Sequence, residues 1–181
     1  APGRAAALGA TPLLTACQEG HLVSARLLRG ASAAVNQAKD DGATPLLIAC
    51  EKGHPEIARL LLAASAAVNQ ADTDGFTPLF VTCQEGQLEC VRLLLGASAA
   101  VNQADGGGAT PLYIACQKGH LECARLLLEA DAAVNQAKDD GATPLLIACE
   151  EGQLECTRLP LEAGAAANPA RTPGTTTQHI A

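Results

Sequence analysis

Aromatic residues are scarce in this chain, and two residue types are missing altogether. The 181 residues include one Tyr and two Phe, but no Trp and no Met. Hydrophobic residues still make up 48% of the chain, so the core has to be built from Ala, Leu and Val. No apolar run reaches the roughly 18 residues that a membrane-spanning helix needs, which argues against a membrane-embedded protein. The lack of Met leads us to expect a fragment or a trimmed product.

Positive charge is also in short supply. The chain carries 12 Lys and Arg against 19 Asp and Glu, which gives a net charge of -7 at pH 7. Such a chain repels the phosphates of nucleic acids, because nucleic-acid binding usually depends on clustered Lys and Arg. We therefore expect a protein partner with a basic or apolar face, and no nucleic acid.

A block of 33 residues that opens with Thr-Pro-Leu is repeated along the chain. Its five copies begin at Thr11, Thr44, Thr77, Thr110 and Thr143. Residues 33–51 recur unchanged at 132–150, so the copies arose by duplication. A unit this short cannot bury its own apolar face and has to stack on its neighbours. The period predicts an elongated repeat solenoid with an exposed groove.

Each copy carries the signals of two consecutive helices. Thr supplies a capping oxygen, and Pro suits the first helical position, where its missing N–H costs nothing. In the second copy an apolar run over residues 46–50 follows and ends near Gly53, which can turn the chain. The second helix reads QLECVRLLL over residues 87–95 of the third copy, with leucines at helical spacing. A polar loop rich in Asn, Asp and Gly then projects from the hairpin.

These elements resemble the ankyrin repeat, on four motifs at the right offsets: T-P-L, A-C-x-x-G-H, R-L-L-L and A-A-V-N-x-x. The resemblance implies an all-α repeat solenoid of stacked helix-turn-helix units, with β-turn fingers that project at right angles. It covers roughly residues 10–168, and implies repeats near 10–42, 43–75, 76–108, 109–141 and 142–168. Residues 1–9 are then an N-terminal remnant. Residues 169–181 are rich in Pro, Thr and Gly without periodicity, so we expect a disordered tail there.

The chain departs from the ankyrin pattern at three sets of positions. The usual His after T-P-L is replaced by Leu14, Leu47, Phe80, Tyr113 and Leu146. The Gly after the second helix is replaced by Ser32, Ser65, Ser98 and Asp131. If those residues are left-handed, each costs roughly 1 kcal/mol. Pro160 lies within the last Leu triplet, where it removes a hydrogen bond at about 3 kcal/mol, so we expect a kinked or shortened final helix.

The eight cysteines fall into two columns of equivalent positions. The first column is Cys17, Cys50, Cys83, Cys116 and Cys149, and the second is Cys90, Cys123 and Cys156. Column mates on packed helices are too far apart for a disulfide, so we interpret them as small buried hydrophobes. A disulfide between Cys83 and Cys90 is a minor alternative, and without C-x-x-C spacing we predict no metal. Free thiols indicate an intracellular protein, in the cytoplasm or alternatively the nucleus.

Histidines and arginines also occupy equivalent positions. His21, His54 and His120 follow the turn Gly, and we interpret them as braces of that turn, since a general base needs a partner nearby. The Arg column could be a phosphate-binding stripe. Four of its members follow a Glu by three positions, however, so solvated ion pairs are favoured. We predict no catalytic residue and no cofactor, and hence no enzyme.

The resemblance also implies where a partner binds, when the family's contact positions are carried over one by one. The positions on the fingers and inner-helix ends are Asp40, Asp41, Glu51, Lys52, Asp74, Phe76, Gln84, Glu85, Gln117, Lys118, Asp139, Asp140, Glu150 and Glu151. This set is acidic and favours a basic partner. Phe76 is either an anchor for the partner or a cover for a neighbouring turn.

The sequence thus favours a monomeric, non-enzymatic module that binds an intracellular protein through an acidic groove. One alternative is a targeting or regulatory arm of a larger multidomain enzyme or ubiquitin-ligase adaptor. Another is a structural spacer.

Overall fold

The computed structural model describes residues 9–167, and these form ten α-helices. The helices are α1 (Pro12–Gln18), α2 (Leu22–Gly30), α3 (Pro45–Glu51), α4 (Pro55–Leu62), α5 (Pro78–Glu85), α6 (Leu88–Gly96), α7 (Pro111–Lys118), α8 (Leu121–Glu129), α9 (Pro144–Glu150) and α10 (Leu154–Glu162). The longest of them have nine residues, and none of these described helices is long and apolar enough to cross a membrane. The tail expected over 169–181 and most of the expected remnant at 1–9 lie outside the described residues.

Every odd-numbered helix begins at a Thr-Pro pair, as the sequence predicts. At α5 the Thr77 hydroxyl oxygen accepts a hydrogen bond of 3.1 Å from the backbone N–H of Phe80, and Pro78 occupies the first turn. The other four copies repeat this cap at 3.2 Å. The capped residue is the one that replaces the usual His, and its apolar side chain is buried in the first four copies.

The turn between the two helices of a repeat depends on a glycine and on the next repeat. Gly86 ends α5 in the left-handed region with φ +68°. A Cβ there would lie 2.7 Å from the His120 ring. That ring donates from Nε2 to the Gln84 carbonyl at 3.1 Å, across the repeat boundary. The prediction that His120 braces a turn is confirmed, and it braces the turn of the preceding repeat.

The ten helices pack as two parallel rows. The first helices of the repeats form one row and the second helices the other, and each hairpin packs mainly on the hairpins before and after it. Leu46, Leu79 and Leu112 in the first row and Leu61 and Leu94 in the second are almost fully buried. The core is therefore a continuous aliphatic strip shared between neighbours, and the predicted all-α repeat solenoid is confirmed.

An asparagine in each loop ties successive repeats together. Its side-chain oxygen accepts a hydrogen bond from a backbone N–H that lies 31 residues further along the chain. The pairs are Asn36 with Ala67, Asn69 with Ala100, Asn102 with Ala133 and Asn135 with Ala166, at 2.8 to 3.0 Å. We refer to these four bonds as the asparagine ladder.

Two departures from the family pattern have different outcomes. The residues after the second helices, Ser32, Ser65, Ser98 and Asp131, are left-handed with φ of 60° to 62°, so the condition for a backbone cost is met at all four. The expectation of a shortened last helix is wrong, because α10 has nine residues, as α6 and α8 do. Pro160 removes one donor, but helical bonding resumes when Ala163 N donates to the Leu159 carbonyl at 3.1 Å. The predicted kink stays a prediction.

Candidate functional site

The projecting loops between repeats are closed by tight hydrogen-bonded turns. In the first loop Lys39 N donates to the Ala43 carbonyl at 3.1 Å, and Gly42 N donates to the Lys39 carbonyl at 2.9 Å. The Asp41 carboxylate accepts from Ala43 N at 3.0 Å, which fixes the tip. The other loops close with the same two backbone bonds. The accepting carboxylate belongs to Asp72 in the second loop, Asp105 in the third and Asp140 in the fourth. These turns are the fingers that the resemblance implies.

Successive fingers are bonded directly to each other at their tips. The bonds run from Thr73 N to the Asp41 carbonyl, from Gly106 N to the Asp74 carbonyl and from Asp139 N to the Gly107 carbonyl, at 2.9 to 3.2 Å. Because backbone bonds fix the spacing, the fingers form one continuous edge. The 14 predicted contact residues lie on these fingers and at the C-terminal ends of the first helices, and we name them the finger–helix surface.

The finger–helix surface is open to solvent along its length. The carboxylates of Asp40, Asp74 and Asp139 are on exposed residues. At the helix ends, neighbouring side chains bond in pairs: Lys52 to Glu51 at 2.6 Å and Gln84 to Glu85 at 2.9 Å. The remaining members, Gln117, Lys118, Glu150 and Glu151, are exposed or half-buried at the same place in their repeats. The predicted contact residues are therefore all exposed or half-buried, on the fingers and at the C-terminal ends of the first helices.

Two lysines that the sequence analysis did not select also lie on the fingers. Lys39 Nζ is 2.6 Å from the Asp41 carboxylate, and Lys138 Nζ is 3.9 Å from that of Asp140. Slight burial disfavours the charged form of Asp41, but Lys39 and the Ala43 N–H outweigh it, so the pKa of Asp41 is lowered. The signal was present, since each Lys precedes its Asp by two positions. The two fingers are consequently less acidic than their carboxylates alone suggest.

The Phe76 side chain lies on a finger, where it packs against the core and is half-buried. Its ring stacks on that of Phe80, with centroids 5.0 Å apart and planes inclined by 17°. Phe80 is buried, whereas Phe76 is half-buried and packs on the core from outside. The equivalent residues, Ala43, Ala109 and Ala142, are buried. Phe76 thus covers the start of α5 and still leaves part of its side chain open.

The cysteines are free thiols, and all but one are buried. Burial raises the pKa of Cys17 and of Cys116 to about 12, which makes them unreactive. The interpretation as buried hydrophobes is wrong for Cys149, which is exposed because no described repeat packs beyond α9. The two columns meet across repeats: a hydrogen bond with the Cys90 thiol, together with burial, raises the pKa of Cys50.

Most of the second helices carry a Glu–Arg ion pair on their exposed face. Glu and Arg three positions apart on α4, α6, α8 and α10 form exposed ion pairs at 3.5 to 3.9 Å, as the sequence analysis favoured. Within residues 9–167 no group of three or more His, Cys, Asp and Glu could hold a metal ion. The finger–helix surface is therefore the candidate site that the geometry of residues 9–167 supports best.

The fold and this surface define the class of the protein as a stacked helix-hairpin repeat protein with projecting turns. A family model described as ankyrin repeats (3 copies) matches residues 2–72 and 79–173, so the chain belongs to the ankyrin repeat family. Ankyrin repeats are generally protein–protein interaction modules. No curated protein sequence matches the chain significantly.

Proposed function

We propose that this chain is a non-enzymatic binding module whose finger–helix surface engages a protein partner with a basic or apolar face. The observation that carries the proposal is the row of fingers locked together by backbone bonds, with exposed carboxylates at Asp40, Asp74 and Asp139. A rigid surface loses little conformational entropy when it binds. The row of like charges steers a basic partner toward it.

Lys39 and Lys138 concentrate the negative charge on particular carboxylates. Asp41 and Asp140 are paired with these lysines, and both accept backbone bonds within their turns. Asp40, Asp74 and Asp139 are exposed and form none of these lysine pairs, so we assign the contact with a partner to them. Next to them, the open part of the Phe76 ring supplies an apolar contact supported from below by Phe80.

One copy of the chain is a complete binding unit in this proposal, because every member of the surface belongs to one array. The buried free thiols support an intracellular setting, in the cytoplasm or the nucleus, where thiols stay reduced.

The test is selection of displayed random peptides against the whole chain. We expect enrichment of basic peptides with apolar positions, and capture that weakens as the salt concentration rises. Replacement of Asp40, Asp74 and Asp139 by Lys should lower the affinity for the selected peptides by about tenfold or more. This triple variant keeps the turn-closing carboxylates of Asp41 and Asp140.

A matched control reverses three exposed carboxylates on the second helices. Glu56→Lys, Glu89→Lys and Glu122→Lys together change the net charge by the same amount, but lie away from the fingers. We expect this control to retain most of the binding. Equal loss in both triple variants would show that net charge alone attracts the peptides, and would contradict the proposed site.

A further inference from the structure

Four large apolar side chains are exposed within residues 9–167, and they lie in the first and the last repeat of the array. In the first repeat these are Val23 and Leu27 on α2, with 73% and 70% of their surface exposed. In the last repeat they are Leu154 and Leu161 on α10, with 66% and 43% exposed. Equivalent positions in different repeats can be compared directly, because the period is constant at 33 residues.

The comparison shows which residues of the last repeat would face a following one. Cys149, Leu154 and Leu161 are exposed, whereas the fourth-repeat equivalents Cys116, Leu121 and Leu128 are buried or half-buried. The difference arises because the fifth repeat packs on the fourth and covers these side chains. Leu146 follows the same trend, since it is half-buried and its equivalents are buried. The C-terminal end face consists of Leu146, Cys149, Leu154 and Leu161.

The same comparison defines the opposite end of the array. Thr15 and Ser24 are exposed, whereas Ile48 and Ile57, their equivalents in the second repeat, are buried against the first. Leu27 is likewise far more exposed than its equivalents. The N-terminal end face consists of Pro12, Thr15, Ser24, Leu27 and Leu28. Its side chains line a hollow of about 490 Å³.

The two end faces are complementary because they are the two halves of the interface that already joins each repeat to the next. Leu154, Leu161 and Cys149 are the same residue types that the third repeat presents to the fourth at Leu88, Leu95 and Cys83. On the N-terminal end face, Leu27 and Leu28 are the same residue type as their equivalents in the second, third and fourth repeats. Thr15 and Ser24 replace buried aliphatic or Cys residues there, so a contact between end faces is weaker than an internal one.

Charge favours the same contact. The helix pair of the first repeat carries Arg26 and Arg29 against Glu19, whereas that of the last carries four glutamates and one arginine. These glutamates are Glu150, Glu151, Glu155 and Glu162. An excess of positive charge at one end and of negative charge at the other attracts the N-terminal end of one copy to the C-terminal end of another.

We propose that the chain self-associates end to end, with the N-terminal end face of one copy stacked on the C-terminal end face of a second copy. The contact is heterologous, so it does not close on itself and allows further copies to add. It continues the internal solenoid and leaves the finger–helix surface free. It therefore adds an interaction surface that binding along the fingers does not need.

Sedimentation velocity of the whole chain tests the proposal, in reducing buffer so that the exposed Cys149 thiol cannot form disulfides. From about 1 µM to about 1 mM, we expect the average sedimentation coefficient to rise without a plateau at the dimer. A concentration-independent monomer over that range would overturn the proposal.

Two single variants separate the end faces. Leu27→Glu disables the N-terminal end face and Leu161→Glu the C-terminal one, and each alone should abolish association, because every contact needs one face of each kind. A mixture of the two variants still contains one working face of each kind. The mixture should therefore form a 1:1 dimer that grows no further, and a mixture that stays monomeric would contradict head-to-tail stacking.

Val23→Glu is the matched control. Val23 is as exposed as Leu27 on the same helix, but its equivalents Glu56, Glu89 and Glu122 are exposed in every repeat, so the position faces no neighbour. The control should associate as the wild type does. An equal loss in Val23→Glu and Leu27→Glu would mean that hydrophobic surface sticks without regard to the face, which overturns the proposal. Circular dichroism checks that all three variants fold. We expect them to fold because all three sites are exposed.

Discussion

The residues that follow the second helices are the most strained single positions in the array. Ser65 and its equivalents hold φ near +60°, a region that costs non-glycine residues about 1 to 2 kcal/mol. Gly164 occupies the same position in the last repeat without this penalty. The chain therefore carries a small energetic cost at each of four repeat boundaries.

Replacing one of these residues with glycine should stabilise the protein. For Ser65→Gly the relief of backbone strain exceeds the cost of glycine's freedom in the unfolded chain, so we expect a gain of about 0.5 to 1 kcal/mol. Urea unfolding followed by circular dichroism measures it. Ser24→Gly, in the first turn of α2, is the control and should lose about 0.5 kcal/mol. A loss of stability in Ser65→Gly would refute the assignment of strain.

At this scale the sequence predicted what depends on local chemistry and missed what depends on position in the stack. The Thr caps follow from two adjacent residues, and all five form. The exposure of Cys149 does not, because residues 132–150 repeat residues 33–51 unchanged and Cys50 is buried. The difference is that no repeat within residues 9–167 packs beyond α9. Lys39 precedes Asp41 by two positions, which is a signal for a pair, but the sequence alone does not show that the finger folds the two side chains together.

At the scale of elements, α10 is the helix whose sequence fits its conformation least. Pro160 is buried at a position that Leu61, Leu94 and Leu127 hold in other repeats. The helix keeps its length because the bonds after the proline re-form and its other face packs on α8 and α9. The sequence argument identified the lost backbone donor but could not include the packing that retains the helix.

Restoring the leucine should strengthen this helix. Pro160→Leu returns a backbone donor and removes a steric clash, for a gain of up to about 3 kcal/mol. Hydrogen exchange of the α10 amides should slow accordingly, because end elements exchange through local opening. Pro160→Ala separates the two causes. If it recovers most of the gain of Pro160→Leu, the restored backbone is responsible. If it recovers little, the packing of the leucine side chain is responsible. Unchanged exchange in both variants would show that Pro160 costs nothing.

At the scale of the whole molecule, stability comes from contacts between neighbours. Each hairpin packs mainly on the hairpins at its two sides, so a central residue supports two interfaces and a terminal residue only one. Leu94 and Leu28 occupy equivalent positions in the third and the first repeat. Leu94 is fully buried, whereas Leu28 is half-buried.

The two positions should respond differently to the same truncation. We expect Leu94→Ala to lose about 3 kcal/mol of unfolding free energy, and Leu28→Ala about 1 kcal/mol, because the terminal site leaves a smaller cavity and was already partly hydrated. Urea unfolding of both variants checks this. Equal losses would show that Leu28 contributes as much packing as Leu94, and would contradict weaker support at the end of the array.

The asparagine ladder has a consequence for how the gene can change. Each of its bonds joins a residue to one 31 positions ahead, and the same register recurs in every repeat. Unequal recombination that deletes or inserts 33 codons in phase would leave the donors and acceptors of all remaining rungs matched. Lineages can thus lengthen or shorten the array without passing through a misfolded intermediate.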